Sequence, residues 1–118
     1  MTNTNMLKFR VWEIGNNKYS YFDLEQGLSS LIDEMTNYKG IGSVEQYTTY
    51  KDKDLKLIYE NDILENKQWN PNKCIVKFMF GKFCLCDLES GQYLADIDII
   101  EDSTGCDFKI ISNINEYH

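Results

Sequence analysis

Paired cysteines and paired aspartates are the residues of this 118-residue sequence whose types and spacing fit metal chemistry. Cys84 and Cys86 stand two positions apart, so both thiols point to the same side if this segment is a strand. A zinc site needs four ligands, and the other candidates of the usual kind are Cys74, Cys106 and His118. The sequence has neither a Cys-x-x-Cys motif nor a second histidine. We therefore expect core or surface thiols and no bound metal.

Asp96 and Asp98 would place two carboxylates on one strand face, an arrangement that can bind Mg²⁺ in a small metal-dependent enzyme. A strand face that is merely solvated is the favoured interpretation. His118 is the last residue of the sequence, a poor position for a general base because chain ends fray. The sequence also lacks a glycine-rich phosphate-binding motif. We expect a protein without enzymatic activity, catalytic residues or cofactors.

Negative charge is concentrated in one segment, residues 87–107. The sequence has 19 acidic and 12 basic residues and a net charge of −7. This segment holds seven of the acidic residues and no Lys or Arg, so the remaining 12 acidic residues balance the 12 basic ones. We term the seven residues the acidic window: Asp87, Glu89, Asp96, Asp98, Glu101, Asp102 and Asp107. Such segregation predicts a partner-binding surface, with a merely solubilising surface as the alternative.

Size and composition indicate a small cytosolic domain. Apolar residues make up 42% of the sequence and aromatic residues 14%, which is enough to form a core. No apolar run approaches the roughly 20 residues that span a bilayer. The polar N-terminus lacks the pattern of a secretion signal. The basic residues form no stripe, so we expect neither membrane association nor direct binding of nucleic acid.

The N-terminal part of the sequence predicts a β-hairpin. Residues 7–14 alternate apolar and polar side chains, with Phe9 and Val11 on one face and Trp12 on the other. Residues 15–17 form a turn, and residues 19–22 return as a second strand. We expect Arg10 to pack beside Trp12 or to pair with an acidic residue.

A helix follows the hairpin, and strands follow the helix. Asp23 is a good N-cap, Gly40 a good stop, and one apolar stripe lies between them: Leu24, Leu28, Leu31, Ile32 and Met35. Later residues predict short strands at 44–47, 74–80, 83–87 and 108–114, and one or two strands within 92–100. This spacing is typical of a small barrel or a strongly bent sheet. We expect a mainly β (α+β) fold, with residues 1–43 as hairpin plus helix and residues 44–118 as the barrel, together one compact unit.

Three stretches in this order resemble the YopX family, small proteins of phages and prophages of Gram-positive bacteria. The first is Lys8-Phe9-Arg10-Val11-Trp12-Glu13. The second comprises Gln46, Tyr47, Thr48, Asp52 and Lys53 followed by Ile58, Tyr59, Glu60, Asp62 and Ile63, and the third Ile110, Ile111, Asn113 and Ile114. The resemblance implies an SH3-like β-barrel in the C-terminal part and a setting in the bacterial host cell. It brings no catalytic residue to this chain.

Three positions depart from the family pattern, because Thr49, Asn61 and Ser112 stand where glycine is usual. Asn61 can adopt a positive φ at modest cost, so we expect its turn to survive. Thr49 is β-branched and tolerates such a φ poorly, so we expect a different backbone there. Asp62 is expected to accept backbone N–H bonds within the turn, and Ile58 to anchor it in the core.

These observations predict a phage or prophage accessory protein that binds a host or phage protein and is not an enzyme. Spaced carboxylates can imitate the phosphates of DNA, so the acidic window could occupy the cationic groove of a nucleic-acid enzyme. An anti-defence inhibitor, such as an anti-CRISPR protein, would act in this way. The alternative is a homo-oligomeric structural or regulatory component of phage replication or lysogeny, with Trp69 facing a neighbouring copy.

Overall fold

The computed structural model describes residues 8–23, 41–102 and 107–117, with backbone only for residues 41–43, 101 and 102. These residues are mainly β, as predicted, and their paired strands are antiparallel. The chain divides into two compact units, Met1–Tyr47 and Thr48–His118. The predicted helix between Asp23 and Gly40 lies outside the described residues. Among the described residues, no helix reaches the length and apolarity that crossing a membrane requires.

The first unit contains the predicted hairpin and one further strand. Strand β1 (Lys8–Glu13) pairs with β2 (Lys18–Asp23) on one side and with β3 (Ile41–Lys51) on the other. Strand β3 is therefore longer than the strand predicted at residues 44–47, and it continues past Tyr47 into the second unit. The predicted boundary between residues 43 and 44 falls inside this strand.

A buried ion pair joins β1 to β3. Arg10 lies opposite Glu45, and its Nε lies 2.7 Å from Glu45 Oε1, with 5% and 1% of the two side chains exposed. The guanidinium also stacks 3.9 Å from the ring centre of Tyr19, which Trp12 contacts edge-on. Arg10 thus pairs with an acidic residue, one of the two predicted outcomes. Burial of both charges is tolerated because each compensates the other.

The second unit is built on a five-stranded sheet. Its strands have the order β8-β7-β6-β5-β9, where β5 is Asp62–Glu65, β6 Lys73–Met79, β7 Lys82–Asp87, β8 Tyr93–Asp96 and β9 Lys109–Asn113. The end of β3 pairs with the short strand β4 (Leu57–Tyr59). After β8 the chain turns and forms one helical turn, α1 (Ile99–Asp102). The segment 92–100, predicted to hold one or two strands, thus holds one strand, β8, which ends at Asp96.

Apolar side chains bury both faces of this sheet, because neighbouring strand residues point to opposite sides. The larger cluster contains Ile58, Leu64, Cys74, Val76, Leu85, Ile97, Ile100 and Phe108. The smaller cluster contains Ile63, Ile75, Cys84 and Cys86, with Met79 and Leu88 packed against it. The loop residue Trp69 packs edge-on against Phe108 at 4.9 Å between ring centres, so its ring serves the larger cluster.

The turn between β4 and β5 forms as predicted. Asp62 is buried and its Oδ2 accepts the Tyr59 N–H at 2.8 Å, while Ile58 and Ile63 are fully buried at the two ends. Asn61 adopts a φ of 70°. The expectation for Thr49 is wrong, because this residue does adopt a positive φ, 76°. The side chain is exposed, and the steric cost of this φ, which arises between Cβ and the backbone, remains in the folded state.

Candidate functional site

The connection between β7 and β8 brings two carboxylates of the acidic window together. Asp87 ends β7, and its Oδ1 accepts the backbone N–H of Glu89 at 3.0 Å. The chain then closes on itself through a hydrogen bond of 2.8 Å from Gly91 N–H to the Asp87 carbonyl. Gly91 has a φ of 75°, a conformation that glycine adopts without a steric penalty. This local geometry leaves Glu89 exposed beside Asp87.

A groove of about 560 Å³ opens beside this turn. Its lining comes from three parts of the second unit. The first is the start of β6 with the two residues before it (Pro71, Asn72 and Lys73), the second is the end of β7 with the turn after it (Asp87, Leu88 and Glu89), and the third follows β9 (Ile114 and Tyr117). Asn113 shapes the last part, because its Oδ1 accepts the N–H groups of Asn115 and Glu116 at 3.0 and 3.1 Å. Ile114 and Tyr117 remain exposed. The groove therefore offers accessible apolar surface next to charged groups.

The chemistry of the groove is that of a binding site. It presents the carboxylates of Asp87 and Glu89, the ammonium of Lys73 and the apolar side chains of Leu88 and Ile114. None of its lining residues is a His or Cys. The two carboxylates outnumber the single ammonium, so a cationic group is the favoured occupant. The apolar surface would receive an alkyl chain or a small hydrophobic side chain.

A second pair of acidic residues, Asp96 and Asp98, lies at the end of β8 and in the turn that follows, and Asp96 is partly neutralised. The carboxylate of Asp96 accepts hydrogen bonds from the Lys82 ammonium, at 2.9 Å, and from the Tyr93 hydroxyl. The Tyr93 hydrogen bond, followed by that of Lys82, lowers the pKa of Asp96 below its usual value. Asp98 is exposed in the next turn rather than in the strand. The expectation that Asp96 and Asp98 share a strand face is therefore wrong, because β8 ends at Asp96.

Asp107 lies among basic residues. It lines a second groove, of about 290 Å³, together with Lys53, Lys67, Lys109 and Glu65. Three ammonium groups thus face two carboxylates in this groove. The side chains of Glu101 and Asp102 lie outside the described residues. The structure therefore brings Asp87 and Glu89 together, and it gives Asp96 and Asp107 separate surroundings with cationic neighbours.

The predicted orientation of the thiols is confirmed. The Sγ atoms of Cys84 and Cys86 lie 3.8 Å apart on one side of β7, and both residues are fully buried. Burial raises the pKa of Cys74 to about 12 and that of Cys86 to about 11. Thiols with such pKa values are weak nucleophiles at neutral pH. Within residues 8–23, 41–102 and 107–117, no three His, Cys, Asp or Glu residues are grouped as metal ligands.

Sequence reasoning identified the two carboxylates of the first groove and missed its other walls. Lys73 reaches the groove because β6 lies next to β7, and Ile114 and Tyr117 because β9 lies next to β5. Pairings between distant strands leave no local pattern in a single sequence. The sequence does carry a turn signal at residues 87–91, where Asp87 and Gly91 occupy favourable turn positions.

The sequence matches no model of a protein family, and no curated protein is significantly similar to it.

Proposed function

We propose that this chain is a phage or prophage accessory protein of the YopX type that acts in the bacterial cytoplasm by binding another protein, without enzymatic activity. The order of the three motif stretches supports the family and its setting. We further propose that the second unit is an SH3-like barrel. The observation that carries the binding function is the groove beside the β7–β8 turn, where two carboxylates stand next to exposed apolar side chains.

The favoured partner presents a basic segment. A Lys or Arg side chain can place its charged end near Asp87 and Glu89 while its alkyl stem lies along Leu88 or Ile114. Protein interfaces combine an apolar centre with a polar rim in this way. Opposite charges across such a contact also accelerate association and disfavour acidic partners.

A nucleic-acid enzyme of the host is one partner with this chemistry, because its groove for phosphates is basic. We therefore retain the anti-defence function, with mimicry of DNA phosphates by Asp87 and Glu89 rather than by all seven acidic residues. Asp96 is a weaker mimic because Lys82 and Tyr93 already bind its carboxylate. Asp107 is weaker because three lysines line its groove.

Affinity capture from a bacterial host lysate, with and without nuclease treatment, tests this function. The captured protein is identified by mass spectrometry, purified and titrated against two variants that remove the same charge. Asp87→Asn with Glu89→Gln changes the groove, whereas Asp54→Asn with Asp98→Asn changes exposed acids outside it. We expect the groove variant to weaken binding about tenfold or more at low salt, equivalent to about 1.4 kcal/mol, and the control to bind normally.

The proposal fails if both variants weaken binding equally, because net charge alone then explains the interaction. It also fails if neither variant weakens binding, because the partner then occupies another surface. Loss of capture after nuclease treatment would reveal a nucleic-acid bridge instead of a direct protein contact.

An exposed aromatic cluster favours a second candidate function, self-association as a structural or regulatory component of phage replication or lysogeny. Phe80 and Tyr93 are 78% and 40% exposed, and Phe78, which packs edge-on against Phe83, is 53% exposed. Phe80 and Tyr93 contact each other at 6.2 Å between ring centres. Exposed aromatic clusters of this kind often mark protein contacts. The predicted role of Trp69 in facing a neighbour does not fit its packing against Phe108.

Sedimentation at micromolar concentration tests self-association. Phe80→Ser should shift an oligomer toward the monomer. Leu55→Ser is the matched control, because Leu55 is similarly exposed, at 76%, in the turn between β3 and β4. A strictly monomeric wild-type protein eliminates this candidate.

A further inference from the structure

Three sulfur atoms meet on one face of the five-stranded sheet. The Sγ atoms of Cys84 and Cys86 are 3.8 Å apart, and Cys86 Sγ lies 3.4 Å from Met79 Sδ. The register places the three residues on one face, because Cys86 and Cys84 lie opposite Ile75 and Lys77, and Met79 is the next residue of β6 on that side. Met79 itself lies opposite Lys82, and its side chain extends back to Cys86. Both thiols are fully buried and Met79 is partly buried.

These spacings suit a three-coordinate metal ion. At the metal–sulfur distance of about 2.3 Å found in protein thiolate sites, three sulfurs around one ion lie about 4 Å apart. The two separations that involve Cys86, 3.8 Å to Cys84 Sγ and 3.4 Å to Met79 Sδ, lie within about 0.6 Å of this spacing. Thiolate and thioether ligands together select soft ions, above all Cu(I).

We propose that Cys84, Cys86 and Met79 form a binding site for one Cu(I) ion. Zinc is disfavoured, because it takes four ligands and prefers thiolates, imidazoles and carboxylates to a thioether. Two thiols and one thioether satisfy a three-coordinate Cu(I) ion without a fourth group. The proposal is independent of the binding function of the groove.

Binding replaces two protons by one metal ion. Each thiol loses its S–H proton to solvent, its sulfur forms a bond to the ion, and the copper stays in the +1 state throughout. The resulting centre carries one net negative charge.

Competition titration of the reduced protein with Cu(I), against a chromophoric Cu(I) chelator and without oxygen, tests the site. The reference protein, otherwise wild type, and all variants carry Cys106→Ser, which removes the cysteine that lies outside the described residues. We expect one Cu(I) ion per chain, and an affinity that rises with pH because protons are released. X-ray absorption at the copper edge should show three sulfur ligands at about 2.3 Å.

Variants distinguish this site from other thiols. Cys84→Ser should lower the Cu(I) affinity at least about 100-fold. Mutation of a residue that only supports a metal ligand typically lowers metal affinity by about 10- to 100-fold, and loss of a ligand itself should cost at least as much. Met79→Leu, which keeps both thiols and the size of the side chain, should lower it at least about tenfold and leave only two sulfur ligands. Cys74→Ala is the control, because Cys74 belongs to the larger cluster on the opposite face. The Cu(I) affinity of this variant should equal that of the reference protein.

Two results would overturn the proposal. One is the absence of competitive Cu(I) binding by the reference protein. The other is binding that Met79→Leu and Cys84→Ser leave unchanged. Because Met79→Leu introduces no buried polar group, its result stands even if the serine variant folds poorly.

Discussion

Asp52 offers the sharpest test of how the turn between β3 and β4 is held. Its buried Oδ1 accepts the backbone N–H groups of Asp54 and Lys56, both at 2.9 Å. Its Oδ2 accepts the N–H of Ile110 in β9 at 3.0 Å. One carboxylate therefore folds the turn and fastens it to a strand 58 residues further along the chain. Asp52 belongs to the second motif stretch, which gives that part of the motif a structural explanation.

Asp52→Asn keeps the shape of the side chain but replaces one acceptor by an amide donor. The amide donor then points either at the N–H of Ile110 or at the N–H groups of Asp54 and Lys56, and the hydrogen bonds at that position are lost. Since a hydrogen bond to a charged group contributes about 1.5–3 kcal/mol, we expect the free energy of unfolding to fall by about 2–3 kcal/mol. Asp52→Ala removes all three bonds and should cost about 3–5 kcal/mol. The larger loss approaches the whole stability of a weak domain, about 5 kcal/mol.

Urea denaturation followed by tryptophan fluorescence measures these changes, and Trp69 reports on the second unit. Asp54→Asn is the matched control. It removes the same charge, but from an exposed side chain that stands two residues after Asp52. We expect the control to lie within about 0.5 kcal/mol of the wild type. Equal stabilities of Asp52→Asn and Asp54→Asn would refute the structural role assigned to the carboxylate.

Three further predictions concern the remaining strained and charged groups. Glu45→Gln should lower the free energy of unfolding by about 3 kcal/mol, because the buried guanidinium of Arg10 then loses the carboxylate that pairs with it. Arg10→Met with Glu45→Leu should lose less, and a double-mutant cycle in urea decides, since additive losses would contradict the pairing. Thr49→Gly should raise the free energy of unfolding by about 0.5–1 kcal/mol, since glycine removes the steric cost of the positive φ and this gain exceeds the entropy cost of glycine. Thermal melts measure the change, and a lower melting temperature would argue against strain at this position. Asp96 has a lowered pKa, so its contribution to stability is present above the ordinary aspartate pKa of about 4 and is lost as pH falls through the lowered value. Tyr93→Phe should raise the pKa of Asp96, as measured by carboxyl NMR, and an unchanged pKa would dismiss the hydroxyl as its main cause.

Local patterns predicted those parts of the fold that depend on neighbours in sequence. The hairpin of β1 and β2 follows from alternating side chains around a turn, and the Asp62 turn from a side chain that bonds a backbone group three residues away. The side-by-side thiols of Cys84 and Cys86 follow from the strand repeat. In each case the interaction that decides the structure spans only a few residues.

The errors have equally specific causes. A shared face for Asp96 and Asp98 requires a strand through Ile97, but β8 ends at Asp96. Residues three apart also share a side in a helical turn, and Ile97 and Ile100 are both buried there. The groove at Asp87 depends on the order of β6, β5 and β9 in the sheet, and nothing in a single sequence encodes that order directly. The pairing of Asp96 with Lys82 likewise depends on the register of β7 against β8.

Burial of Cys74, Cys84 and Cys86 gives the second unit an internal probe of its own opening. An alkylating reagent reacts with a thiolate that solvent can reach, so the native protein should react only as fast as its sheet transiently opens. With Cys106→Ser as background, the increase in mass with time would then report the free energy of opening at each of the three positions. Cys74 faces the larger cluster and Cys84 and Cys86 the smaller one, so different rates would show whether the two sides of one sheet open together or separately.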